Sequence, residues 1–143
     1  MLREPLRKTP SNSAKKKKMT ENDLSYAIRG AAFKVHTALG PGLLESVYET
    51  ALCYELRSEG LDIKTQLGVP MIYAEIKMDI GFRLDILVND LVIVEVKSVE
   101  SLLDVHHKQL LTYLKLSNKK LGLLINFNSS PLKENIVRIV NNL

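Results

Sequence analysis

The 143-residue sequence has one cysteine, no tryptophan and few aromatic residues. A single thiol, Cys53, cannot close an internal disulfide, which argues against a disulfide-stapled secreted scaffold and a cysteine-built metal site. It sits in Ala51-Leu52-Cys53-Tyr54, and its ordinary reading is a small buried residue. No apolar run approaches the roughly 20 residues needed to cross a membrane. No hydrophobic signal segment follows the basic N-terminus. A cytoplasmic protein with no membrane partner is expected. No internal repeat and no full phosphate-loop pattern is present, so Gly40 and Gly42 read as loop geometry.

What is present suits one globular domain. The hydrophobic fraction of 45% is ordinary and supplies a core that needs no covalent staple. The net charge of +4 is unevenly spread. Residues 1–18 hold seven basic residues and one acidic one, and the remainder holds thirteen basic and fifteen acidic. The positive charge therefore belongs to a tail, and a whole-chain argument for nucleic-acid binding is weak. Residues 1–20, with the run Lys15 to Lys18, read as a disordered basic tail. It is either a phosphate-contacting arm or a solvated leader. Residues 21–143 read as the domain.

From Asn22, apolar residues recur at helical spacing up to Leu39, and Gly40-Pro41-Gly42 ends that helix. A second helix is expected at about 43–59, with Leu44, Val47, Tyr48, Ala51, Leu52 and Leu56 on one stripe and Gly60 as a cap. The period then falls to two. Strands are expected at 62–68, 70–77, 81–88 and 91–98, with Asn89-Asp90 at the last turn. A helix at 103–117 and a strand over 121–127 imply a parallel crossover. Residues 131–141 fit either a short helix or an edge strand. The order α-α-β-β-β-β-α-β predicts an α/β fold, a central mixed sheet flanked by helices.

Polar residues interrupting the central strands are the informative anomaly. Glu95 and Lys97 lie two apart in Val92-Ile93-Val94-Glu95-Val96-Lys97, so both emerge on one face. Burying them is costly unless they are paired or bind a metal. Asp85 interrupts the neighbouring strand. A two-residue turn at Asn89-Asp90 would oppose Asp85 to Val94 and point it away from Glu95. A three-residue loop, or a bulge, pairs Val88 with Val92 and Asp85 with Glu95. Because no glycine follows Asn89, the second geometry is expected. Two carboxylates at one point suit Mg²⁺ or Mn²⁺, with Lys97 beside them to stabilise charge. A purely structural Asp–Lys–Glu cluster remains an alternative.

Asp85 followed by Glu95-Val96-Lys97 resembles the signature of the PD-(D/E)XK nuclease superfamily, with Leu84 in place of its proline. Gly42-Leu43-Leu44-Glu45-Ser46-Val47-Tyr48 is similar to the motif of the GxxExxY family, a branch of that superfamily. Val35-His36 before Leu39-Gly40-Pro41-Gly42, and then Tyr48-Glu49, resemble it too. The resemblance spans about 22–143. It implies a restriction-endonuclease-like core and metal-dependent hydrolysis of phosphodiester bonds in DNA or RNA, with DNA favoured. It implies Asp85, Glu95, the Val96 backbone carbonyl and Glu45 (directly or through water) as ligands of Mg²⁺ or Mn²⁺, with Lys97 catalytic. Gln109 and Tyr113 resemble a Gln-x-x-x-Tyr element that positions substrate or the lysine.

Plainer readings stand beside these. Glu45 fits a first-turn carboxylate, Tyr48 core packing, His36 a satisfied helix histidine, and His106 and His107 a solvent-facing helix start. An inactive nucleic-acid- or protein-binding module, a homodimer, or a subunit of a larger complex are the rival functions.

Overall fold

The computed structural model describes residues 18–143; most of the basic tail lies outside the described residues. Helix α1, Glu21–Leu39, opens on a capping box. Thr20 accepts from the Asp23 amide at 3.2 Å, and the Asp23 carboxylate accepts from the Thr20 amide at 2.9 Å, satisfying donors a helix start leaves open. Its stripe Leu24, Ile28, Ala31, Ala32 and Val35 is buried. Gly40, at φ 70°, turns the chain out of the helix.

Helix α2, Glu45–Ser58, buries Tyr48, Leu52, Cys53 and Leu56. Leu44 and Val47, expected on this stripe, are exposed instead. Leu44 is the N-cap and lies outside the helical register, and Val47 falls beside the buried arc.

Five strands form one mixed sheet in chain order: β1 Ile63–Tyr73, β2 Ile76–Val88, β3 Val92–Lys97, β4 Leu121–Asn126 and β5 Ile136–Val140. Only β3 and β4 are parallel, and helix α3, Asp104–Ser117, is their crossover. The strand expected at 70–77 is divided between β1 and β2, because the chain turns at Ala74-Glu75 and pairs Tyr73 with Ile76. Pro70 sits inside β1, where the register shifts between Val69 and Met71. An edge strand tolerates this, since no inner neighbour needs the missing donor. Residues 131–141 supply both expected forms, a 3-10 turn at Leu132–Asn135 and then edge strand β5.

Helices α1 and α2 cover one face of the sheet, packing on Ile86, Val88, Val92, Val94, Val96, Leu123 and Ile125. Helix α3 covers the other through Leu110 and Leu114, on Leu84, Leu87, Ile93 and Leu124. A Cβ at Gly122 would stand 3.0 Å from Leu110 side-chain atoms, so glycine there lets α3 lie close on β4. This three-layer α/β architecture matches a restriction-endonuclease-like core.

Candidate active site

The β2–β3 turn decides the site. Asn89 and Asp90 both adopt left-handed backbone, and the Leu91 amide closes the turn on the Val88 carbonyl at 2.9 Å. Leu91 is then an additional residue, so Val88 pairs with Val92 and Ile86 with Val94. That is the parity expected of a three-residue loop, and it brings Asp85 level with Glu95.

The regular β2–β3 pairing ends at that point. Two side-chain bonds replace the ladder: the Asp85 amide donates to Glu95 Oε2 at 3.0 Å, and the Val96 amide donates to Asp85 Oδ2 at 3.0 Å. Meanwhile β3 stays parallel with β4, Lys97 opposite Asn126. The strands thus part where two carboxylates are inserted. Glu95 is only 5% exposed.

Burial sets the electrostatics. Desolvation, then the Asp85 charge, pushes the Glu95 carboxyl up to about 8. Desolvation also raises Asp85, against the Val96 amide and the Lys97 ammonium, which favour its ionised form. Half-buried Lys97 opposes the rise at both groups. Two like charges in a poorly solvated cleft call for a proton or a cation.

Glu45, at the first turn of α2, uses Oε2 to accept from the Ser98 amide at 3.2 Å, and its charge is felt at Asp85. Among the described residues, no three His, Cys, Asp or Glu side chains are grouped closely enough to hold a metal ion. The donor set fits a hard divalent ion nonetheless: Mg²⁺ is commonly held by one or two carboxylates and keeps several waters.

Other expected residues are placed unequally. Tyr48 is fully buried and stacks on Phe127 at 4.7 Å. Its hydroxyl donates to the Gly40 carbonyl at 2.5 Å and accepts from the Leu43 amide at 3.1 Å. It therefore holds the loop before Glu45 as well as filling the core. Tyr113 stacks on Phe82 at 4.5 Å, and burial, then the Glu95 and Asp85 charges, raises its phenol. Gln109, one turn earlier, is exposed, and its side chain makes no hydrogen bond among the described residues. Among the described residues, His36 Nε2 is buried without a hydrogen-bond partner. His106 and His107 do more than face solvent: His106 Nδ1 accepts from the Leu103 amide at 2.9 Å, and His107 Nδ1 lies 3.1 Å from the Leu103 carbonyl.

Three residues beside the pair carry no site role in the sequence reading. Glu49 follows Glu45 by one turn, and burial leads the rise of its carboxyl, with the Asp85 and Glu45 charges contributing. Helical spacing from Glu45 was an available signal. Gln66 stands at φ 49° and its amide reaches both Glu49 oxygens, at 3.1 and 3.3 Å. Ser98 binds Glu45 through its amide. Nothing in the local sequence marks the last two.

A mixed sheet between helices, split by an Asp–Glu pair with a lysine two residues on, defines a nuclease-like α/β class. The family model described as the PD-(D/E)XK nuclease superfamily matches residues 22–139, and the chain belongs to that superfamily. Membership points to a nuclease acting on nucleic acid, in a superfamily whose members usually use divalent metals. No curated protein and no solved structure gives a significant match. Among the described residues, no helix is long and apolar enough to cross a membrane.

Proposed function

We propose that the chain is a Mg²⁺- or Mn²⁺-dependent nuclease of the GxxExxY branch, cleaving phosphodiester bonds in DNA or RNA. The observation that carries this reading is the reciprocal bonding of Asp85 and Glu95 at the parting of β2 and β3, with both carboxyls pushed upward. A bound divalent ion supplies charge stabilisation at the scissile phosphate and a more acidic water. Asp85, Glu95 and the Val96 carbonyl hold it, and Glu45 assists directly or through water. The Lys97 ammonium sits beside the pair to offset negative charge developing on the phosphate. Tyr113 and Gln109 orient substrate from α3, and His36 and Tyr48 support the loop that carries Glu45. The catalytic unit is residues 21–143, preceded by a basic tail at 1–20, in a cytoplasmic protein.

A second reading, a subunit that works within a homodimer or larger complex, is favoured by one feature. A groove of about 650 Å³ lies on the outer helices, lined by Leu39, Val47, Thr50, Ala51 and Tyr54 among others. The test is a cleavage panel with Mn²⁺ on single- and double-stranded DNA and RNA. Metal-dependent cutting by the native protein, absent from Lys97→Ala, is expected. Equal cutting by both proteins overturns the assignment, and no cutting by either favours a binding module or a subunit awaiting its partner.

A further inference from the structure

The N-cap of helix α2 is Leu44, whose side chain offers no cap. Something other than a helix cap must therefore fix the first turn, which carries Glu45. From the strand side, that role falls to the residue after Lys97. Ser98 Oγ donates to the Leu43 carbonyl at 2.6 Å, and the Ser98 amide donates to Glu45 Oε2 at 3.2 Å. These bonds join positions more than fifty residues apart in the chain.

Ser98 is itself held from behind. Fully buried Asn126 clamps Val99, accepting from its amide at 3.0 Å and donating to its carbonyl at 2.9 Å. The Phe127 amide bonds the Lys97 carbonyl at 2.9 Å. The end of β3 is thus a rigid support for a loop that Tyr48 grips from the core.

We infer that Ser98 is a positioning residue whose hydroxyl, through the Gly40–Leu44 loop, fixes the placement of Glu45. This rests on the metal-site reading above. Ser98→Ala deletes the hydroxyl tether and keeps the amide bond to Glu45, so it isolates the effect.

The test is Mn²⁺ binding by calorimetry on the full chain, with thermal denaturation alongside. Ser98→Ala is expected to weaken Mn²⁺ binding about tenfold, the low end of what support behind a metal ligand contributes, because the loop that carries Glu45 loses its hydroxyl tether. Ser98→Thr, which keeps the hydroxyl, is expected to stay within about twofold of native on the same rationale. Adding Ser98→Ala to Glu45→Ala should cost nothing further. Native-like binding by Ser98→Ala, or additive losses in the double variant, overturns the inference while leaving the metal site standing. If Ser98→Ala does not fold, Ser98→Cys, a weaker donor, takes its place with an intermediate loss expected and native-like binding overturning. No Mn²⁺ binding by the native protein overturns the metal-site reading and this inference together.

Discussion

Asp85 and Glu95 each use the other strand's backbone as a partner: the Asp85 amide binds the Glu95 carboxylate, and the Asp85 carboxylate binds the amide that follows Glu95. The pair is therefore structural and chemical at once. A substitution that removes the charge and keeps the acceptor separates the two roles. Asp85→Asn and Glu95→Gln retain an oxygen for these amides and are expected to melt near the native temperature at pH 5, where the raised Glu95 carboxyl is protonated. Cleavage is expected to fall at least about 100-fold, the scale of losing a charge-stabilising group. Asp85→Ala leaves the Val96 amide without its partner and should also cost about 1–3 kcal/mol of stability. Cleavage and thermal denaturation on the same preparations check this; full activity in Asp85→Asn would remove Asp85 from the proposed metal set.

Tyr48 is expected to matter through its hydroxyl. In Tyr48→Phe the ring still stacks on Phe127, but the Gly40 carbonyl and the Leu43 amide both lose their partner. Loss of buried hydrogen bonds of this kind costs about 1–3 kcal/mol. Faster amide exchange at Leu43, with the α2 core unchanged, is the specific signature. A melting temperature equal to native would show that the hydroxyl bonds contribute nothing.

Most of this architecture was legible because the sequence pattern carried the relevant parity. The placement of Asp85 opposite Glu95 followed from the missing glycine after Asn89, and the Val88–Val92 pairing agrees. The outer hairpin was not legible for a related reason. Its turn is Ala74-Glu75, with Ala74 at φ 54°, a residue with no intrinsic preference for that region. Gly68 and Pro70, the residues that ordinarily punctuate a chain, lie inside β1. Ser98 and Gln66 escaped for a different cause. Their contacts are to Leu43, Glu45 and Glu49, distant in sequence, and local periodicity does not report such contacts.

The same turn gives a stability prediction. Ala74→Gly removes a Cβ from a left-handed position, where an L side chain costs about 1–2 kcal/mol, partly offset by the greater freedom of glycine in the unfolded chain. A net gain of about 0.5–1 kcal/mol is expected, seen as slower amide exchange at Tyr73 and Ile76. Faster exchange there would contradict the turn.

The raised carboxyls make the metal-free protein sensitive to alkali. Glu95 is carried from its ordinary 4.5 up to about 8 by burial and by Asp85. A carboxyl whose folded-state pKa lies above its unfolded value binds its proton more tightly in the folded state. Its stabilising contribution is complete below about 4.5 and is lost as pH rises through about 8. Asp85 shifts in the same direction. Without metal, the native protein should therefore lose stability relative to Glu95→Gln between pH 5 and pH 9, because the amide cannot ionise. Divalent metal should reverse the trend in the native protein at pH 8–9, since a ligand that binds only the folded state stabilises it. Thermal denaturation of both proteins across this range, with chelator and then with Mn²⁺, reads the effect. A constant difference between them from pH 5 to pH 9 would show that Glu95 ionises in the fold as it does in water, and the close, poorly solvated pair would lose its electrostatic support.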